Sequence, residues 1–373
     1  MIPVNQPLLN GREKELLIKC IDSGWISSDG PFVSEFEQKF ADYIGVKHGV
    51  AVCNGTAALE TALYAAGIEK GDEVIMPAFT IISCALAALR VGAVPVLVDA
   101  EPDTWNMDVN QIEARITTKT RAIMPVHIYG HPVDMDPVLK IAERHNLIVI
   151  EDAAEVHGAE YKGRKCGSLG HLSSWSFYAN KIVTTGEGGM VLTSDPRMAE
   201  RAASYRNLCF RPERRFYHTE LGNNFRMTNL QAAIGIAQLE RVEEFISRKR
   251  QIGRIYESKL EKLPGIKFQI EKPWAKHVYW MYCIELDESR GLDANFMMME
   301  LKKKGIGTRP FFLGLHEQPA LQDLGLFRNE DYPVTHRISR YGLYLPSGLT
   351  LSEKQIDQVV SAINEIVESH FYE

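Results

Sequence analysis

The sequence predicts an α/β protein: a large, mainly parallel sheet with helices on both faces, followed by a smaller C-terminal α+β layer. Three observations predict it. From Gly49 to Asp152 short β-rich runs alternate with helical patterns, the signature of parallel strands joined by right-handed crossovers. Two further strand-like runs, SSWSFY and GGMVLTS, flank a lysine and a glycine-rich turn between residues 173 and 194. Beyond residue 240 the alternation stops and short strands mix with isolated helices. We therefore expect a large domain over 1–240, with an N-terminal helical segment, and a small domain over 241–373.

Each element has its own reason. Leu16, Leu17, Cys20 and Ile21 fall at helical spacing, and Asp22-Ser23-Gly24 is stop chemistry. WISSDGPFV leads into an amphipathic helix from Val33 to Tyr43. The alternating region then reads GVAVC and TAALETALYAAG; DEVIMP and TIISCALAALRVG; VPVLVD; RAIMPVHI and DPVLKIAERHN; and LIVIED. RMAERAASYRN is helical and Pro212 to Asn224 polar and irregular. A single long helix is expected from about Thr228 to Arg248, with Leu230, Ala233, Ile234, Ala237 and Val242 at core spacing, as a spacer between domains. The small domain takes strands IKFQI and VYWMYCIELD, a helix near Ala294 to Lys304, the segment GIGTRPFF and a last helix from Ser352 to about His370.

Composition narrows the function. With 45% apolar and 24% charged residues the chain is an ordinary globule, and a net charge of −6 argues against nucleic acid or an anionic membrane as partner. No apolar run approaches the roughly 20 residues of a spanning helix, and the N-terminus carries no signal-peptide pattern. The six cysteines are scattered without metal-ligand spacing, so we expect free thiols, no metal and a cytoplasmic location.

The chemistry concentrates in three pieces. Lys181, after a strand and before TTGEGG, sits where an amine at the rim of a sheet can reach a bound aldehyde, the geometry that pyridoxal 5'-phosphate (PLP) chemistry needs; the plainer reading is a solvated lysine. Ser176, five residues earlier, can serve the cofactor phosphate. NGTAAL places Gly55 for close backbone approach, Thr56 as a hydroxyl and a helix start for a phosphate dianion, or it is plain capping. Asp152, at the carboxyl end of LIVIED, can hold a pyridine nitrogen protonated, or cap a turn. Glu155, on the same turn, would face the ring hydroxyl. His157 either lines the pocket or is structural.

The order NGTAAL, EDAAEVHGA, SFYANKIVTTGEGGMV and LGNNFRMTNLQAA resembles the DegT-type sugar-nucleotide aminotransferases, PLP enzymes of fold type I, over essentially the whole chain. The resemblance implies that Lys181 carries the cofactor and shuttles the proton, that Asp152 partners the pyridine nitrogen with Glu155 near the ring hydroxyl, and that Gly55, Thr56, Ala57 and Ser176 contact the phosphate. Asn224 would reach the phosphate of a neighbouring subunit, implying an obligate homodimer with a shared active site. Ile81 stands where relatives usually carry an aromatic against the ring, so aliphatic packing is expected there. The implied activity moves the amino group of L-glutamate, through pyridoxamine 5'-phosphate, to C-4 of a nucleotide-linked 4-keto-6-deoxy sugar, GDP-4-keto-6-deoxymannose becoming GDP-perosamine. A C-3 or C-4 aminotransferase for a dTDP- or UDP-linked keto sugar is the alternative. Arg309 and His316 are candidate substrate contacts, and Arg214 and Arg215 candidates for steering the diphosphate. A PLP-dependent sugar dehydratase would place His at the position of Lys181, and a non-catalytic regulator need keep neither Lys181 nor Asp152. A dinucleotide oxidoreductase fails because Cys53-Asn54-Gly55-Thr56 replaces its glycine-rich turn.

Overall fold

The structure is a computed structural model that describes residues 1–211 and 213–372; Pro212, where the expected polar stretch begins, lies outside them. In chain order, α1 (Glu13–Ser23) and α2 (Pro31–Ile44) precede β1 (His48–Val52) and α3 (Gly55–Ala65). Then come β2 (Glu73–Pro77), α4 (Ser83–Arg90), β3 (Val94–Val98), β4 (Thr120–Ile123), α5 (Met135–His145) and β5 (Ile148–Asp152). The hairpin β6 (Glu160–Tyr161) and β7 (Arg164–Lys165), then β8 (Leu172–Ser176), β9 (Gly189–Thr193) and α6 (Pro196–Arg206) complete this part.

The large sheet has seven strands in the order β1-β9-β8-β5-β4-β2-β3. β3, β2, β4, β5 and β8 pair in parallel, and β9 runs antiparallel to both β8 and β1. Strand alternation loads both faces. Val74, Met76, Ala122 and Ile150 enter one core with residues of α2, α3, α4 and α7 (Asn229–Leu239), while Ile75, Ile123 and Val149 enter another with residues of α5. Fold class and mainly parallel topology are as the alternation predicts.

The expected single helix over 228–248 is two. Thr228 and Gln231 form a reciprocal capping box that starts α7, and after Leu239 the chain leaves helical geometry at Arg241 (φ −117°, ψ 11°) before α8 (Val242–Leu260). The apolar period runs across the break, which is why it reads as continuous. Next come β10 (Ile266–Phe268), β11 (Ala275–Lys276), β12 (Tyr282–Leu286), α9 (Ala294–Lys303), β13 (Arg309–Pro310), α10 (Pro319–Asp323), α11 (Pro333–Tyr341), β14 (Gly342–Leu345) and α12 (Glu353–Tyr372). β10, β12, β14 and β13 form an antiparallel sheet, whereas β11 reaches back to pair with β6. The N-terminus joins this part too: Ile2 donates to Gly305 O and accepts from Gly307 N, and its side chain sits in the small apolar core with Ile252, Ile284 and Leu301.

Asp99, just past β3, ties the two parts together. It accepts from Val334 N (3.0 Å), Thr335 N (2.9 Å) and Thr335 Oγ1 (2.7 Å), capping α11 from a distant segment.

β5 is anchored behind its functional end by Glu151, a fully buried carboxylate absent from the sequence expectations. It accepts from Gly167 N (2.7 Å), Leu169 N (2.8 Å), Gly170 N (2.6 Å) and His127 Nε2 (3.0 Å). His127 Nδ1 accepts from Val133 N, so its proton resides on Nε2 and points at the carboxylate. Glu151→Ala would strand these donors; urea unfolding should show a loss of about 3 kcal/mol or more, and a loss under about 1 kcal/mol would contradict this role.

Candidate active site

A cleft of about 660 Å³ opens at the carboxyl ends of the parallel strands, where open α/β sheets gather ligands. It collects Gly55, Thr56, Ala57, Ile81, Asp152, Glu155, Ser176 and Lys181, which lie far apart in sequence.

One wall is a phosphate-sized cradle. Asn54, extended at φ −167°, caps α3 by accepting from Ala57 N (2.9 Å). The amides of Gly55 and Thr56, at the first two helical positions, have no acceptor within the helix. A Cβ on Gly55 would lie 2.8 Å from Ser176 Cβ, so only glycine lets α3 close onto the end of β8. Thr56 Oγ1 donates to Ser83 Oγ (3.0 Å), the first residue of α4, bringing two helix N-termini to the same wall. Ser83 was missed from sequence because a serine at a helix start reads as capping. The Ala57 amide donates to the Asn54 cap, and Ala57 lies in the cleft lining beside Gly55 and Thr56.

The floor holds buried charge. Asp152 accepts from Cys84 Sγ (3.2 Å) and Ala154 N (3.1 Å), and burial raises its carboxyl above the ordinary range. Glu155 accepts from Tyr129 N (2.7 Å). Tyr129 presents that N–H from a left-handed backbone (φ 55°), an uncommon conformation for an aromatic residue. Lys181 Nζ lies 3.7 Å from Glu155 Oε1 and 3.8 Å from the Trp280 ring centre, and the Trp280 indole donates to Asn180 O (2.8 Å). Burial lowers the Lys181 ammonium below its ordinary value, with Glu155 and Asp152 opposing that shift, and burial lifts Glu155 to about 7. A buried amine eased toward its neutral form is a nucleophile and a proton carrier.

These shifts carry a sign. Between its ordinary 4.5 and about 7, Glu155 keeps a proton in the folded chain that the unfolded chain has lost, so stability falls as pH rises through that window. Asp152, also raised, acts in the same direction. Buried His131 and His157, lowered to about 4 and about 3, act in the opposite direction, so the Glu155 contribution is read as a difference between two chains: in urea unfolding of the cofactor-free protein, Glu155→Gln should gain stability relative to wild type on going from pH 5 to pH 7, and an equal pH dependence in the two chains would remove Glu155 as a contributor.

Ile81 lines the cleft and is 43% exposed. Other expected residues lie elsewhere. Asn224 is exposed and bridges Asn207 outside its own chain's cleft. Arg309 is exposed on β13, opposite Tyr344 of the cleft wall. Arg215 borders a separate depression with Asn207, Arg211 and Arg226, and the Arg214 guanidinium lies over Tyr217. His316 opens on a different pocket, described below. His157 is in the core among Phe40, Trp175 and Phe177, and burial lowers it to about 3. Trp280, Phe312 and Tyr344, brought from the small domain to line the cleft, have no local sequence signal.

The profile of the DegT/DnrJ/EryC1/StrS aminotransferase family matches residues 7–364. The chain is 45% identical over 370 residues to a GDP-perosamine synthase of Caulobacter vibrioides, covering 98% of each chain. It is 42% identical over 364 residues to a GDP-perosamine synthase of Escherichia coli O157:H7, again covering 98% of each. Among solved structures it is similar to the aminotransferase TlmJ of Streptoalloteichus hindustanus, with a TM-score of 0.92, 29% identity and 99% of both chains covered.

Proposed function

This chain belongs to the DegT/DnrJ/EryC1/StrS aminotransferase family and is a PLP-dependent aminotransferase, and from that premise we propose that it aminates C-4 of GDP-4-keto-6-deoxymannose with L-glutamate as donor, giving GDP-perosamine. The observation that carries the mechanism is Lys181, a buried amine between Glu155 and Trp280 at the floor of a cleft whose opposite wall presents free helix N-termini.

The residues present fit PLP. Two unfilled amide donors, the hydroxyls of Thr56, Ser83 and Ser176 and the positive ends of α3 and α4 suit a phosphate dianion. Asp152, a buried carboxylate with only a thiol and one amide as donors, suits a protonated pyridine nitrogen, and Glu155 suits the ring hydroxyl. When bound, the cofactor supplies the electron sink that lets an amino group pass from glutamate to a keto carbon. Lys181 would carry the cofactor through its amine, and as the free amine it would take up and return the proton at the substrate carbon. Glu155 keeps Nζ aimed into the cleft, and the Trp280 ring closes the opposite side. Asp152 would accept from the protonated ring nitrogen and so keep it positive.

We place the cofactor domain at 1–240 and the small domain at 241–373, and assign a homodimer whose subunits complete each other's clefts. Its support is the large apolar side chains that one chain leaves exposed: Leu221 is 90% exposed, Phe216 75% and Trp25 51%. Asn224, outside its own cleft, would reach the partner's phosphate site, and Arg214 and Arg215 its diphosphate. Among the described residues no helix is long and apolar enough to cross a membrane, and the six cysteines are free, which fits the reducing cytoplasm.

The test follows the visible spectrum of the PLP-loaded protein. L-glutamate should bleach the resting band, and GDP-4-keto-6-deoxymannose, added after free amino acid is removed, should restore it. Bleaching without restoration points to a dTDP- or UDP-linked keto sugar; no bleaching would overturn the donor assignment.

A further inference from the structure

Outside the cleft, a polar pocket of about 490 Å³ lies between the turn Leu315–Glu317, α10 and α11. Glu317, Asp323, Glu330 and Asp331 line it against a single arginine, Arg328. Within it His316, Glu317 and His336 each offer one ligand-type atom, and these atoms lie within 4.8 Å of one another. His316 and His336 are twenty residues apart, so no metal-ligand spacing shows in the sequence; the fold brings them together by docking α11 against the turn.

Two further observations point to a ligand. His316 is only 8% exposed, and its Nδ1 has no hydrogen-bond partner, an expense that buried imidazoles ordinarily avoid. His336 Nδ1 already stands 3.2 Å from Glu317 Oε1, close to the roughly 3.3 Å edge of a tetrahedron with bonds of about 2.0–2.1 Å.

We propose that His316, Glu317 and His336 bind a divalent transition metal of the zinc class, with the fourth position open to water from the pocket. Two imidazoles and one carboxylate suit zinc better than calcium or magnesium, which prefer all-oxygen shells. Contraction by up to about 1.5 Å is needed at the widest separation, and His336, half exposed in the first turns of α11, is the ligand free to move. Arg340 competes, its Nη2 2.9 Å from Glu317 Oε1 and its Nη1 3.3 Å from Oε2. The metal would take Oε1 and leave Arg340 on Oε2, so binding is weaker than at an uncontested site. The pocket is coupled to the cleft's frame: Leu315 N donates to Ala78 O (2.8 Å), and Asp99 holds Thr335, next to His336.

The test titrates Zn²⁺ into the full-length, chelator-washed holoenzyme by calorimetry, with metal content measured after gel filtration. One Zn²⁺ per chain is expected. His336→Ala and Glu317→Gln should each weaken it by at least the roughly 10–100-fold that loss of even an outer-shell partner costs. His145→Ala, which removes the exposed histidine beside Glu113, should leave it unchanged. No saturable binding by the wild type, or binding that survives His336→Ala intact, would overturn the assignment.

Discussion

Lys181→Ala should lose transamination in both directions, from L-glutamate to the enzyme and from the enzyme to the keto sugar, by at least about 10³-fold in single-turnover rate. The size follows from the absence of a substitute. Around Nζ the structure places Glu155, Asp152 and the Trp280 ring, and Glu155, at about 7, titrates near neutrality. Its carboxylate is held by Tyr129 N, so it cannot swing to the reacting carbon without breaking that bond. The variant should still fold, because removing a buried amine whose charge is disfavoured costs little packing beyond its alkyl stem. Circular dichroism and gel filtration establish the fold, and stopped-flow absorbance gives the two half-reactions separately. Residual rates within about tenfold of wild type in either half would assign the proton transfer to another group.

The elements that sequence disclosed are those whose reason is local. Strand, turn and helix succeed one another at NGTAAL, LIVIED and SFYANK with period and punctuation intact, so Gly55, Asp152, Ser176 and Lys181 could be placed at strand ends before any contact was known. What escaped depends on packing between distant segments. Glu151 differs from Asp152 by one position, and alternation alone sends it away from the cleft; that it gathers four donors from two loops is a tertiary fact. Tyr129 matters through an amide turned by a left-handed backbone, which no residue type there advertises. Trp280 lies in an apolar strand run indistinguishable from core. The break at Arg241 was hidden because the hydrophobic period crosses it, although the start near Thr228 was placed correctly. His336 had no sequence neighbour to make it a ligand.

Asp152→Asn should lower the single-turnover rate by roughly 10²–10⁴-fold while leaving cofactor affinity within about tenfold. The amide is close to isosteric and keeps the contacts of the carboxylate, since its oxygen can still accept from Cys84 Sγ or Ala154 N. What it cannot do is stabilise a proton on the ring nitrogen. In the cofactor-free chain the carboxylate is short of positive charge, and burial pushes its carboxyl upward; the phosphate cradle of α3, α4 and Ser176 is untouched, so most binding energy remains. The sign with pH is distinct. A carboxyl raised in the folded state contributes a loss of stability as pH rises from its ordinary 3.8 through its folded value, and asparagine removes that contribution. Asp152→Asn should therefore be nearly inactive, yet gain cofactor-free stability relative to wild type on a rise from pH 4 to pH 6. A merely structural aspartate predicts the reverse, activity largely kept and stability lowered at both pH values, so urea unfolding and single-turnover kinetics on one variant separate the two roles.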